Sequence, residues 1–246
     1  MDLSGKRVLI TGGGSGVGAD LARGFSAAGA HVVIAGRRAD ALERVARRIG
    51  GIQMQLCDVT DEGSVARLFD AAGKCDIVLA NAGAADSAPF ARMTLEHWNA
   101  MLAVNLTGTF LTFREGVRRM EEPGRLIAIS SIAGLRGYSY IGAYAAAKHG
   151  VIGLVRSLAE EFATRGVTLN AICPGYLDTE MTDRTIDNIV AKTGRQPHEA
   201  RASLEALSPQ RRLFQPVEVT ATALWLCSRA ARGVNGQAIA IAGGTP

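Results

Sequence analysis

Two residues in this chain have the types and the spacing for proton chemistry at a carbonyl. Tyr144 and Lys148 stand four apart in Tyr144-Ala145-Ala146-Ala147-Lys148. A helix there sets both side chains on one face. An unperturbed tyrosine, with a pKa of about 10, is a poor acid at neutral pH. A lysine ammonium within ~4–6 Å favours the phenolate, so the pair predicts a Tyr144 pKa drawn downward. A phenol tuned toward ambient pH can give a proton to a carbonyl oxygen or take one from an alcohol. The same spacing on an Ala-rich helix also describes an ordinary surface pair, so the rest of the chain must decide.

A second set of residues suits a dinucleotide. Thr11-Gly12-Gly13-Gly14-Ser15-Gly16-Val17-Gly18 joins an apolar run, Arg7 to Thr11, to a helical pattern from Ala19 to Ala28. Glycines permit the tight turn and a close backbone approach to a pyrophosphate. The helix start then offers free N–H groups and a positive dipole end. The Gly-Lys-Ser/Thr of a mononucleotide loop is missing from this turn. At the end of the second apolar run an acidic residue would hold the ribose 2′-OH of NAD. This chain has Gly36-Arg37-Arg38 there, and a guanidinium fork suits a 2′-phosphate, hence NADP(H). Arg37 is the favoured ligand, with Arg38 the better candidate for a solvated charge at a helix start. Asp58 stands where a carboxylate could accept from the adenine amino group, or serve only as a strand-end polar residue.

These residues need elements to hold them. Buried strands are predicted at 7–11, 31–35, 52–57, 76–80, 125–130, 167–173 and 238–241. Helices are predicted between them, including one long helix from Thr94 to about Met120 and one from Gly142 to Arg165. Asn105 falls inside the long helix, where its short amide competes with the backbone; a kink there would free a carbonyl to bind water. Strands alternating with helices mean right-handed βαβ units and a parallel sheet covered on both faces. The fold class is therefore α/β, a Rossmann-type doubly wound seven-stranded sheet in a single domain over 1–246, with ligands at the carboxyl edge.

Composition narrows the partners. The chain has 246 residues, 48% hydrophobic and 20% charged, with a formal net charge of +4. It has no Lys/Arg block of five or more, which argues against nucleic acid or a membrane surface as the main partner. No apolar run approaches the ~18 residues of a membrane span, and none near the N-terminus suits a signal peptide. Cys57, Cys75, Cys173 and Cys227 form no CxxC pair and no metal-like cluster with the four histidines. Free buried thiols and a reducing, cytoplasmic compartment are expected, with no metal.

Taken together, the sequence resembles the short-chain dehydrogenase/reductase family over essentially its whole length. The matching motifs are the glycine turn Thr11 to Gly18, Asp58-Val59, Asn81-Ala82-Gly83, Asn105, Ser130-Ser131, Tyr144 to Lys148, and Pro174-Gly175 with Thr179. The resemblance implies that Tyr144 is the acid/base and that Lys148 lowers its pKa and bonds the nicotinamide ribose. It implies that Ser131, rather than Ser130, orients the carbonyl, and that Asn105 holds a water linking Lys148 to solvent. It assigns Gly12, Gly14, Ser15, Gly16, Val17, Gly18, Asn81, Ala82, Gly83, Pro174, Gly175 and Thr179 to the cofactor, besides Arg37, Arg38, Asp58 and Val59. Two departures stand out: Ala80 replaces the first side chain of the usual Asn-Asn-Ala-Gly, and the stretch from Asp58 to Asn81 is about one helical turn short.

Substrate contacts are expected from 84–93, 132–140 and the insertion 176–215. Met181, Ile186, Ile189, Val190, Leu204 and Leu207 give that insertion an apolar underside, suggesting a helical lid. Its basic residues Arg184, Lys192, Arg195, Arg201, Arg211 and Arg212 could meet a coenzyme A or acyl-carrier phosphate, or form a solvated face. The run from Val234 to Gly244 is similar to family members that reduce 3-oxoacyl thioesters, a likeness shared with hydroxysteroid and sugar dehydrogenases. Small residues on the helix from Gly142 point, by family analogy, to a homotetramer. The first reading is an NADP(H)-dependent ketone/alcohol oxidoreductase. The alternatives are an NAD-dependent alcohol dehydrogenase, with Arg37 and Arg38 idle, and a non-enzymatic NADP(H)-sensing module.

Overall fold

The computed structural model describes residues 1–245; Pro246, the end of the predicted domain, lies outside the described residues. Seven parallel strands run in the order β3-β2-β1-β4-β5-β6-β7. They are β1 (Arg7–Thr11), β2 (His31–Gly36), β3 (Gln53–Leu56), β4 (Cys75–Ala80), β5 (Met120–Ile129), β6 (Thr168–Pro174) and β7 (Ala238–Ile241). The order reverses between β1 and β4, which opens a crevice at the carboxyl edge. The helices are α1 (Gly16–Ala27), α2 (Ala39–Ile49), α3 (Glu62–Ala72), α4 (Leu95–Leu102), α5 (Gly108–Arg119), α6 (Gly142–Glu161), α7 (Glu180–Thr193), α8 (Pro197–Glu205) and α9 (Pro216–Leu226).

The central strands are apolar through most of their length because both faces are covered. Leu9, Val33, Val78, Leu126 and Leu169 face one way, with Phe69 of α3, Phe113 of α5 and Val151 and Val155 of α6. Val8, Ile10, Ile34, Leu79, Ile127 and Ile172 face the other, with Leu21 and Phe25 of α1 and Val219 and Leu226 of α9. Edge strand β3 (Gln-Met-Gln-Leu) is largely exposed, as its alternating glutamines require. Gln196 with Glu199 and Gln215 with Glu218 close capping boxes at α8 and α9, each with proline in the first turn.

Three boundaries differ from the sequence reading. The single long helix from Thr94 is interrupted by a π-helical turn at Ala103–Thr107, separating α4 from α5. α5 ends at Arg119, and β5 begins five residues earlier than predicted, at Met120. α6 stops at Glu161, and Ala163–Arg165 form a separate 3₁₀ turn before Gly166 in the left-handed region. All four cysteines are free thiols, and among the described residues no helix is long and apolar enough to cross a membrane.

Candidate active site

The glycine turn sits at the crevice, between the end of β1 and the start of α1. Gly12 has φ +69, a region that favours glycine. A Cβ on Gly18 would lie 2.1 Å from the Gly12 carbonyl oxygen, so α1 can approach the turn this closely only through glycine. Such a cradle is what a pyrophosphate needs, and α1 carries no acidic residue in its first turn to compete with it. Asn81, at the end of β4, fixes the turn by donating Nδ2 to the Thr11 and Gly12 carbonyls at 2.9 and 3.2 Å. The Thr11 hydroxyl accepts from the backbone of Asn81 and Ala82 at 3.1 and 3.2 Å. Asn81 and Thr11 thus hold the turn even with Ala80 in place of an asparagine. Thr179 stands on the opposite side, 3.6 Å from where a Cβ on Gly16 would be.

The two arginines divide differently from expectation. Arg38, read as the bystander, donates Nη2 to Ser15 Oγ at 3.1 Å and so reaches the glycine turn itself. Arg37 lies 3.9 Å from the Asp58 carboxylate, with its side chain 70% exposed. Asp58 closes a turn by accepting from the backbone and hydroxyl of Thr60 at 2.9 and 2.8 Å. Those bonds, with a smaller part from Arg37, hold its carboxyl below the usual range. One Asp58 oxygen therefore remains for a ligand. Val59 is buried against Gly108 of α5.

Tyr144 and Lys148 do share one face of α6, and they meet Ser131, Asn105 and Gly83 at the centre of the crevice. Lys148 is 4% exposed; its Nζ donates to the Ile129 carbonyl at 2.9 Å and lies 5.6 Å from the centre of the Tyr144 ring. Ser131 hydrogen-bonds the Tyr144 phenol, and its Oγ accepts from Ala133 N–H at 3.1 Å. Ser130 instead turns inward, donating to the Lys148 carbonyl at 3.2 Å. The choice of Ser131 over Ser130 thus has a geometric basis.

The electrostatics correct the sequence reading. Burial pushes the Tyr144 phenol up to about 12, with the Ser131 hydrogen bond opposing it. Burial pulls Lys148 down to about 8. The ammonium donates to the Ile129 carbonyl, and desolvation is the largest influence on both groups, so each is driven toward its neutral form. The lysine shift has a stability consequence. Its folded pKa is depressed, so its contribution is full above the unfolded value of 10.5 and is lost as pH falls through about 8. Lys148→Met should therefore stabilise the unliganded protein at pH 7 by about 1–3 kcal/mol, with the gain vanishing near pH 10.5. Urea unfolding at both pH values measures this, and equal stability of the two proteins at pH 7 contradicts it.

The predicted irregularity at Asn105 is the π turn. Asn105 is fully buried; its Nδ2 donates to the Ala84 and Met101 carbonyls at 2.9 and 3.0 Å, and its Oδ1 accepts from Ala84 N–H at 3.3 Å. The carbonyl loosened by the wider turn accepts from Thr109 Oγ1 at 2.8 Å, leaving it one lone pair for a further donor. Gly83 is wedged beside this asparagine: a Cβ there would lie 2.7 Å from Asn105 Oδ1 and 3.6 Å from Lys148 Nζ. Asn105 therefore locks the 83–84 backbone beside the lysine.

Beyond Ser131 lies a pocket lined by Ile132, Tyr138, Gly175, Tyr176, Leu204 and Phe214 among others, enclosing about 10 Å³ in this conformation. The segment after α8 supplies Leu207 to this lining. Tyr138 and Tyr176 were not singled out from the sequence. The available signal was their position, one inside the 132–140 loop and the other directly after Pro174-Gly175. The insertion has a small core of its own, Ile186, Ala200, Leu204 and Leu213, with Ile189 and Val190 partly buried against it. Met181 and Leu207 are exposed rather than part of its underside. Of its basic residues, Arg201 is engaged by Asp178 and Glu205 at 3.1 and 3.0 Å, and Arg212 by Glu218 at 2.7 Å.

A nucleotide cradle, a buried Tyr/Lys/Ser/Asn centre and a pocket on one sheet edge describe a nicotinamide-dependent oxidoreductase. The family model described as enoyl-(acyl carrier protein) reductase matches residues 12–246. The uncharacterized oxidoreductase YxjF of Bacillus subtilis is 34% identical over 248 residues, covering 96% of either chain. The 3-oxoacyl-[acyl-carrier-protein] reductase FabG of Rickettsia conorii is 32% identical over 247 residues, covering 99% of this chain and 98% of the relative. An actinorhodin polyketide ketoreductase variant solved with NADPH superposes with a TM-score of 0.91 at 29% identity, covering 100% of this chain and 99% of the other. The chain belongs to the short-chain dehydrogenase/reductase family, oxidoreductases acting on carbonyl and alcohol groups with a nicotinamide cofactor.

Proposed function

We propose that the protein is an NADP(H)-dependent reductase of a 3-oxoacyl thioester, of coenzyme A or an acyl carrier, or the reverse 3-hydroxyacyl dehydrogenase. The observation carrying this reading is the convergence of Tyr144, Ser131 and Lys148 beside the glycine cradle, with Arg38 bonded to Ser15 at 3.1 Å on the cradle's rim. The glycine turn and α1 would hold the pyrophosphate, Arg38 and Arg37 the 2′-phosphate, and Lys148 and Asn81–Gly83 the nicotinamide half. When bound, that cofactor supplies or accepts the hydride. Tyr144 gives its proton to the substrate oxygen. A phenol pushed up to about 12 keeps that proton through the neutral range, and its neutrality suits a donor in the reductive direction. Ser131 donates to the same oxygen and stabilises its developing charge. Asn105 holds the backbone at Gly83 and Ala84 so that Lys148 keeps its place.

The FabG relative supports the thioester part of the reading, and the NADPH-bound ketoreductase supports the cofactor. Cytoplasmic residence and a homotetramer belong to the same proposal. Following NADPH and NADH oxidation with acetoacetyl-CoA and a panel of simple ketones tests it. Turnover of acetoacetyl-CoA with NADPH preferred is expected; turnover with NADH alone would move the protein to the NAD-dependent dehydrogenases.

A further inference from the structure

The pocket beside the reacting centre contains two phenols with no work assigned to them. Tyr176 is half-buried, its ring against the Ile186–Leu204–Leu213 core of the insertion. Tyr138 is half-buried on the facing loop, its ring backed by the Arg136 guanidinium at 4.9 Å. Both line the same pocket, close enough that ionising one opposes ionising the other. Tyr176 stands in the same relation to Tyr144. Neither hydroxyl donates to any described protein group. Nor is either hydroxyl a buried unpaired group, so both stay accessible and can donate to a ligand oxygen. The remaining lining is mainly apolar, with Ile132, Leu204, Leu207, Phe214 and Ala242, and carries two aliphatic hydroxyl residues, Ser208 and Thr245. No cationic side chain lines it; Arg212 lies behind Phe214, 4.4 Å from its ring, and is held by Glu218.

Building on the carbonyl-reductase reading above, we propose that Tyr176, with Tyr138 beside it, determines specificity by donating a hydrogen bond to a second, uncharged oxygen of the substrate next to the reacting carbonyl. An ester, thioester or second ketone oxygen meets that description. A free carboxylate does not, because the pocket has no cation to offset its desolvation. The phenol selects by the contrast between an oxygen that accepts its proton and a methylene that leaves the hydroxyl unpaired.

The test compares two uncharged ketones of similar size, ethyl 3-oxobutanoate and 2-hexanone, by kcat/KM with NADPH, in the wild type, Tyr176→Phe and Tyr138→Phe. The wild type should favour the oxo-ester. Tyr176→Phe should shrink that preference by about tenfold, the worth of one neutral hydrogen bond, and Tyr138→Phe by less. Equal losses on both ketones would assign Tyr176 to packing alone and overturn the proposal, as would an unaltered ratio or a wild type without preference. If the wild type oxidised NADPH with neither ketone nor with acetoacetyl-CoA, the carbonyl-reductase reading would itself fall. Turnover without Tyr176 dependence would remove only this inference.

Discussion

Tyr144→Phe should lower kcat for carbonyl reduction by about 10³-fold while leaving NADPH binding and the melting temperature close to wild type. The change removes one oxygen from a half-buried ring and leaves the ring's contact with Lys148 in place. What is lost is the proton donor to the forming alkoxide, together with half of the two-donor site shared with Ser131. Ser131→Ala, by contrast, keeps the acid and removes the second donor, so a smaller loss of about 10²-fold is expected. The phenol's partner bond to Ser131 is the one interaction opposing its upward shift. Removing it should therefore raise the Tyr144 pKa further and push any alkaline limb of the oxidation rate to higher pH. Single-turnover measurements with NADPH, paired with fluorescence titration of the cofactor, separate chemistry from binding. Activity within tenfold of wild type in Tyr144→Phe would sink the acid/base assignment.

The second large effect concerns cofactor choice. Arg38→Ala should reduce kcat/KM for NADPH by about 10–100-fold, with little change for NADH, and Arg37→Ala should do less. The ranking reverses the one read from the sequence, for a geometric reason. Arg38 already reaches the glycine turn through Ser15 Oγ at 3.1 Å, whereas Arg37 is drawn toward Asp58 at 3.9 Å. A guanidinium facing a carboxylate has less charge to offer a phosphate. Asp58→Asn should accordingly strengthen the Arg37 contribution. Because both arginines lie at an exposed rim, the discrimination should weaken as salt is raised from 0.05 to about 0.5 M. Steady-state kinetics with both cofactors at two ionic strengths measure this. Equal losses with NADPH and NADH would show that the arginines serve the fold and not the 2′-phosphate.

Much of this molecule could be read from residue types and spacing, because the physics involved is local or periodic. Short, largely apolar runs at 7–11, 76–80 and 167–173 read as strands covered on both sides, and the helices between them dictate parallel pairing. The glycine turn and the Tyr144–Lys148 register follow from chain geometry within a few residues, whereas the choice of Ser131 over Ser130 came from the family resemblance. The irregularity at Asn105 was legible as a kink, since a buried short amide competes with its own backbone. That it is a π turn, with its carbonyl met by Thr109 and Gly108 packed against Val59, was not legible in any local pattern.

Long-range packing decided the rest. The Tyr144 pKa moves up rather than down because its value is set by how much water the assembled crevice excludes and by where Lys148 finds its carbonyl, Ile129, 19 residues away in sequence. The roles of Arg37 and Arg38 separate only when β3 brings Asp58 beside one of them. Tyr138 and Tyr176 become neighbours only when the loop after β5 meets the chain leaving β6. Sequence alone therefore determined which groups are present and the frame they hang on. Tertiary structure determined their protonation, their pairing and the shape of the space they enclose, since desolvation and distance belong to the assembled fold and to no single segment of it.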